Sequence, residues 1–305
     1  MVLRYNRMMI RVLLVGAGDV AQRLVPLLAG RYRLYAAVRS AERAAQWRAL
    51  GVTPVLADLD QPRSLHRLGG LAQWVIHLAP PPGQGISDPR TAALLAALAR
   101  AKSLPRRLIY ISTTGVYGDL QGTWADETAA AHPTRHRSDR ARRRMDAEAR
   151  LRHAANQGSA GKVCILRAPG IYAADRLPLD RIRRGDPALI QQDDAWSNHI
   201  HADDLARIIV SALRHGQSNR AYNAVDDEPL RMGDYFDAVA DRFDLPKPPR
   251  RPANEVRARV GPAMWSYMAE SRRLANHRLH RELHYRFLYP SVCEALRTMT
   301  LQENP

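Results

Sequence analysis

Three small residues at fixed spacing, Gly16, Gly18 and Ala21, form a G-x-G-x-x-A turn. Such a turn presents backbone N–H groups to an anion. Gly16 makes the tight bend, Gly18 lets the backbone approach a pyrophosphate, and a small residue at 21 permits close packing of strand on helix. A plain strand-to-helix turn is the alternative use of the same residues. Further along, Arg39 stands where an acid would bond a ribose 2′-hydroxyl, with Arg43 one helical turn beyond. A guanidinium at that place suits a 2′-phosphate through bidentate hydrogen bonds, although in so arginine-rich a chain it is also an ordinary solvated side chain. Another set, Thr113, Tyr117, His136, Arg140 and Arg144, follows in the middle of the chain. A threonine hydroxyl can bond a substrate oxygen, and an imidazole titrates near neutrality. Arginine holds anions but moves no protons, because its pKa lies above about 12.

The elements around these residues are those of an α/β protein. Residues 12–15 are apolar without alternation, as in a strand buried on both faces, and Val20, Leu24, Leu27 and Leu28 repeat at helical spacing behind Asp19. Further strands are expected at 32–38, 54–57, 74–79 and 107–112, with an Ala- and Leu-rich helix over 91–102. Asp58, followed by Leu59, closes the third strand, where it either receives an adenine amino group or caps the segment from Gln61. Leu78, Ala79 and a stiff turn from Pro80 end the fourth, on the edge of a parallel sheet where ligands bind. Phe236, Val239, Ala240 and Phe243 form a helical stripe that belongs to a core, and residues 245–252 read as a proline-rich surface connector.

Composition narrows the function classes. The 305 residues suffice for one large α/β unit and a smaller partner. Their net charge of +16 is almost wholly arginine, with only Lys102, Lys162 and Lys247 as lysines. That fits a base-composition bias in codons as well as selection for a polyanion. The dense run over 135–152 has no interleaved aromatics, so a solvated helix face is expected there, then a rim for a phosphorylated substrate, and nucleic acid last. Two cysteines, Cys164 and Cys293, give neither a disulfide framework nor metal-ligand spacing. No apolar run reaches membrane-spanning length and no hydrophobic leader is visible, so a cytoplasmic protein without a membrane partner is expected.

The stretch Ser112-Thr113-Thr114-Gly115-Val116-Tyr117-Gly118 resembles the end of the fifth strand in extended short-chain dehydrogenases and NAD-dependent epimerase/dehydratases. Cys164 to Tyr172, Asn198 to Ala206, Ala221 to Val225 and Arg278 to Leu283 resemble later landmarks of the same family, although His284 replaces a customary glycine. The resemblance implies a Rossmann-type, doubly wound parallel sheet with a smaller C-terminal substrate domain built from discontinuous segments. It places the dinucleotide-binding domain at 1–169, with 203–225 returning to it, and the substrate domain at 170–202 and 226–305. The cofactor-binding positions it implies are Gly16, Gly18, Asp19, Val20, Arg39, Asp58, Leu59, Leu78, Ala79, Pro80 and Pro169. Arg39 favours NADP, with NAD as the alternative.

The family's catalytic Tyr-x-x-x-Lys pair is missing: no tyrosine has a lysine four residues later, and none lies between Tyr117 and Tyr172. If Glu148 matches the family's usual glutamate, Arg140 and Arg144 replace the pair; one turn earlier, His136 pairs with Arg140. The catalytic candidates are then Thr113, Tyr117, His136 and Arg144, with Tyr172 a further proton source. The expectation is an NAD(P)-binding oxidoreductase or epimerase-like protein of the atypical group, acting on a small substrate that is anionic or nucleotide-linked. A catalytically silent NADP(H)-binding sensor is the alternative. No metal is expected. The likeness implies a homodimer formed through the helices after the fourth and fifth strands.

Overall fold

A computed structural model describes residues 9–129 and 138–299. Strand β1 (Arg11–Val15) runs into helix α1 (Asp19–Leu28), followed by β2 (Arg33–Val38), α2 (Ala41–Ala49) and β3 (Thr53–Leu56). Then come β4 (Trp74–His77), α3 (Pro89–Ala99), β5 (Arg107–Thr113) and α4 (Asp139–Asn156). Strand β6 (Lys162–Ala168), helix α5 (Ala202–His215) and β7 (Arg220–Asn223) complete the frame. The strand order is β7-β6-β5-β4-β1-β2-β3. Strand β1 pairs in parallel with β2 and β4, as do β2 with β3 and β4 with β5. This is the doubly wound order, which reverses direction between β1 and β4 and leaves a crevice at their carboxyl ends. The apolar run of β1 is buried on both faces, and Leu24 and Leu28 of α1 are fully buried.

The chain divides into two compact units: 1–112 with 143–166 and 209–220, and 113–142 with 167–208 and 221–305. These are cut elsewhere than the boundaries read from the sequence, since Thr113 and its successors join the second unit. The core of that unit includes Tyr172, Ile182, Leu189, Phe236, Val239 and Leu296, so the Phe236-to-Phe243 stripe is core. Arg250–Arg251, at the end of the proline-rich stretch, form a short strand beside Ala188–Leu189. Arg250 also donates to Asp194 and Asp237, so this end of the stretch is fixed and is not merely a connector.

The arginine run on α4 also differs from the solvated face expected. Arg143 is buried and donates to the Gly85 carbonyl, Arg144 to the Ile111 carbonyl, and Arg152 to the Asn219 carbonyl. Backbone carbonyls distant in sequence absorb these guanidinium groups, which no charge count along the helix could show. Among the described residues, no helix is long and apolar enough to cross a membrane, and no cluster of three or more His, Cys, Asp or Glu could hold a metal.

Candidate functional site

In the first unit, the turn after β1 is shaped by its two glycines in different ways. Gly16 has a φ of +104°, and a Cβ there would lie 2.4 Å from the Ala79 backbone nitrogen. Only glycine fits this conformation and this approach of the β4 loop, whose Leu78 and Ala79 amides both donate to the Val15 carbonyl. A Cβ on Gly18, by contrast, would meet nothing within 4 Å. Gly18 is the N-cap of α1, and no side chain caps that end. The first N–H groups of this helix are therefore left without a side-chain cap beside an uncrowded glycine, an arrangement that suits an anion such as a pyrophosphate. Asp19 is the one acid in this turn, and Arg23 pairs with both of its oxygens at 3.1 Å, so its charge is balanced. Val20 and the buried Ala21 continue the helix. These residues fit a dinucleotide.

The neighbouring strand ends carry the remaining candidates of this unit. Arg39 is exposed at the end of β2 and forms no hydrogen bond with a described residue, whereas Arg43 donates to Gln46 at 3.0 Å. Asp58 accepts the Asp60 amide at 3.0 Å, closing a local turn. It does not cap the short 3-10 helix Pro62–Arg67, whose N-cap is Gln61, so the capping alternative for Asp58 is not realised. Leu59 is half-buried beside it. Pro80 is exposed, and its carbonyl accepts from Arg90 at 3.0 Å. At the end of β4, His77 is completely buried and bonds Thr91 at 2.9 Å. Burial, with Arg144 adding to it, holds its pKa down to about 3, so this imidazole is neutral throughout the working range.

Arg144 stays in the first unit. Its Nη1 donates to the Tyr110 hydroxyl at 3.0 Å and the Ile111 carbonyl at 2.6 Å. Four residues on, buried Glu148 accepts from Ser112 at 2.6 Å. A guanidinium so placed braces β5; its Nε and Nη2 make no hydrogen bond with a described residue.

The second unit holds a polar pocket lined by Thr113, Ser138, Arg140, Pro169, Trp196, Asn198, Tyr267, Glu270 and Arg272, among others. Thr113 is the last residue of β5, accepts the Gly115 amide at 3.2 Å, and has no described acceptor for its own hydroxyl proton. Arg140, in the first turn of α4, donates to the Tyr267 hydroxyl and lies 4.6 Å from the centre of that ring. Arg272 pairs with Glu270 at 2.7 Å. The pocket therefore offers hydroxyls, an amide and guanidinium groups to a small polar substrate.

Tyr117 and Tyr172 are not in that lining. The Tyr117 hydroxyl donates to Asn223 at 2.7 Å and accepts from Arg167 at 2.8 Å, all within a buried network. The Tyr172 hydroxyl donates to the Ser291 carbonyl at 3.4 Å, and burial together with nearby Asp226 and Asp204 pushes its pKa far up. His136 lies outside the described residues. Sequence reasoning placed Arg140 at the position of the missing tyrosine but not among the catalytic candidates. It had no signal for Tyr267, Glu270 or Arg272, which come from a segment more than a hundred residues away.

The doubly wound sheet and the glycine cradle define a Rossmann-type dinucleotide-binding protein. Residues 12–224 match the NAD dependent epimerase/dehydratase family, and the chain belongs to that family. It is similar in structure to a functionally unknown conserved protein from Silicibacter pomeroyi, at 28% identity and a TM-score of 0.78, over 94% of this chain and 97% of that one. The fold is also that of the UDP-glucose 4-epimerase of Thermotoga maritima, solved with UDP-glucose, at 17% identity and a TM-score of 0.73 over 94% and 96% of the two chains. The UDP-glucuronic acid 4-epimerase of Bacillus cereus, solved with UDP-glucuronic acid and NAD, gives 18% and 0.72 over 94% and 96%. No curated protein matches the chain in sequence.

Proposed function

We propose that the chain is an epimerase-like oxidoreductase that binds NADP in preference to NAD and acts on a small, anionic or nucleotide-linked substrate. The observation that carries this is the contrast between the two glycines: a turn closed against Ala79 at Gly16 and open to solvent at Gly18. When bound, the cofactor supplies hydride chemistry. The residues of this chain hold and orient: the α1 N-terminus takes the pyrophosphate, Asp58 the adenine edge and Arg39 the 2′-phosphate. Leu59, Leu78, Ala79 and Pro80 line the cofactor. In the second unit, Thr113 donates to a substrate oxygen and Arg140 attracts its anionic group. Arg144 keeps the binding character of the family's absent lysine without its acid–base chemistry. That loss favours a second reading, a sensor that binds NADP(H) without turnover.

Fluorescence titration with NADPH and NADH tests the binding. Submicromolar to micromolar binding of NADPH, about tenfold tighter than NADH, is expected from one charge-assisted phosphate contact. Arg39→Asp is expected to reverse that order; an unchanged preference would remove Arg39 from the site. Hydride transfer from labelled NADPH to a panel of carbonyl compounds and nucleotide sugars then separates enzyme from sensor.

The neighbours named with nucleotide sugars support a small-molecule partner, and we also place a homodimer contact on the small-residue groove of α3 and α4, which includes Ala92, Ala96, Ala99 and Ala149. Ala96→Arg is expected to halve the mass measured by light scattering; a wild-type chain already monomeric would refute the contact.

A further inference from the structure

We propose that the ion pair between Asp60 and Arg90 sets which dinucleotide the first unit accepts, by keeping the carboxylate of Asp60 occupied so that Arg39 is left for a 2′-phosphate. The inference rests on the reading of the glycine turn as a dinucleotide site.

Arg90 sits in the first turn of α3 and grips both oxygens of Asp60, Nε at 2.7 Å and Nη2 at 2.6 Å. Its remaining nitrogen, Nη1, donates to the Pro80 carbonyl at 3.0 Å. One side chain thus joins the loop after β3 to the loop after β4. In the sheet order, β2 and β1 separate those two strands, and they are followed directly by Arg39 and Gly16. The ion pair therefore ties together loops from either side of the strand ends that would carry the adenosine half of a dinucleotide.

The charges there are few and coupled. The hydrogen bond from Arg90 is the main influence holding the Asp60 carboxyl below its usual range, and the charge of Arg39 acts in the same direction. Asp60 is thus ionised and lies within electrostatic reach of Arg39. While Arg90 occupies it, the bidentate geometry directs both carboxylate oxygens away from other donors. Without Arg90, the same carboxylate would compete for Arg39, repel a 2′-phosphate and accept a ribose 2′-hydroxyl, which are the properties of an NAD-selecting acid. Arg90 and Asp60 are positioning residues, and Arg39 makes the contact.

The two halves of the pair make opposite predictions, which separates this role from simple bracing of the loops. Arg90→Gln breaks the pair and frees a negative charge; Asp60→Asn breaks the same pair and removes it. NADPH and NADH affinities are measured by fluorescence titration for the wild-type chain, both single variants and the double variant, with melting curves for each. Arg90→Gln is expected to lower the NADPH-to-NADH preference by about tenfold, a size set by a half-exposed charge in screened solution. Asp60→Asn is expected to keep or raise the wild-type preference, and the double variant to recover it. If both single variants weaken the two cofactors equally, the pair is only a brace and the inference fails. Should Arg90→Gln fail to fold, a loss of preference in Asp60→Asn overturns the inference by itself. A wild-type chain that binds both cofactors equally also overturns it while sparing the dinucleotide reading; binding of neither overturns both.

Discussion

Replacing Gly16 with alanine is expected to destabilise the first unit by about 3 kcal/mol and to abolish NADPH binding, whereas Gly18→Ala leaves stability within about 0.5 kcal/mol and still costs at least about tenfold in affinity. The first value combines two costs. A side chain at a φ of +104° is strained, and its Cβ would fall 2.4 Å from the nitrogen of Ala79 and 2.8 Å from its Cα, both backbone atoms that cannot swing aside. Either β1 or the loop after β4 must then shift. At Gly18 the backbone is extended, with a φ of −105°, and the added methyl meets no protein atom. What it occupies is the space a pyrophosphate needs in order to reach the amides of α1. Urea unfolding and cofactor titration of the two variants check both halves. Full NADPH affinity in a folded Gly18→Ala chain would make the turn a simple connector.

The second large effect concerns Asp226, just beyond β7 in the second unit. Its amide donates to the His199 carbonyl at 2.8 Å, but among the described residues neither carboxyl oxygen has a hydrogen-bonded partner of good geometry. Burial pushes its pKa well above the ordinary carboxylate value; Asp227, Glu228 and Asp204 add to the rise, and the nearby Glu228 backbone offsets only part of it. The folded chain thus keeps a proton here that the unfolded chain loses near pH 4. Between that pH and the raised folded value, the folded state binds more protons than the unfolded one, so this group's contribution to stability falls as pH rises. Asp226→Asn is expected to be more stable than wild type at pH 8 by about 1–3 kcal/mol and to lose this part of the pH dependence. At about pH 3, where the acid is almost wholly neutral in both states, the advantage should vanish. Urea unfolding at both pH values supplies the comparison, and taking the difference between the two chains cancels repulsion from the net charge. Parallel declines in the two chains would show that Asp226 is not the group responsible.

Much of the cofactor half of the site was legible in the sequence because it is local. A run of apolar residues, a glycine bend and a helical repeat lie within one stretch, and the backbone conformations they permit depend on immediate neighbours. The strands around it were located to within one or two residues, and the ends of β2, β3 and β4 carry Arg39, Asp58 and Ala79 to one edge because a parallel sheet aligns its carboxyl ends. The missing Tyr-x-x-x-Lys was equally plain, since an absence at fixed spacing needs no coordinates.

The partners of side chains belong to the tertiary structure. Arg90 meets Asp60 across 30 residues, Tyr117 meets Asn223 across 106, and Arg140 meets Tyr267 across 127. No periodicity encodes such pairs; they arise when strands and helices distant in sequence pack against one another. Tyr117 was a catalytic candidate by its motif, yet Arg167 and Asn223 both hydrogen-bond its buried hydroxyl. The arginines of α4 looked solvated because their charge repeats along a helix, yet carbonyl groups from β5 and two distant loops take three of them. The sequence by itself determined that a glycine bend follows β1 and leads into a helix, and that the ordinary acid–base pair is absent, both being matters of neighbouring residues. Only the tertiary structure decided which guanidinium groups are spent on the fold and which stay exposed, because that depends on the acceptors that packing brings within reach.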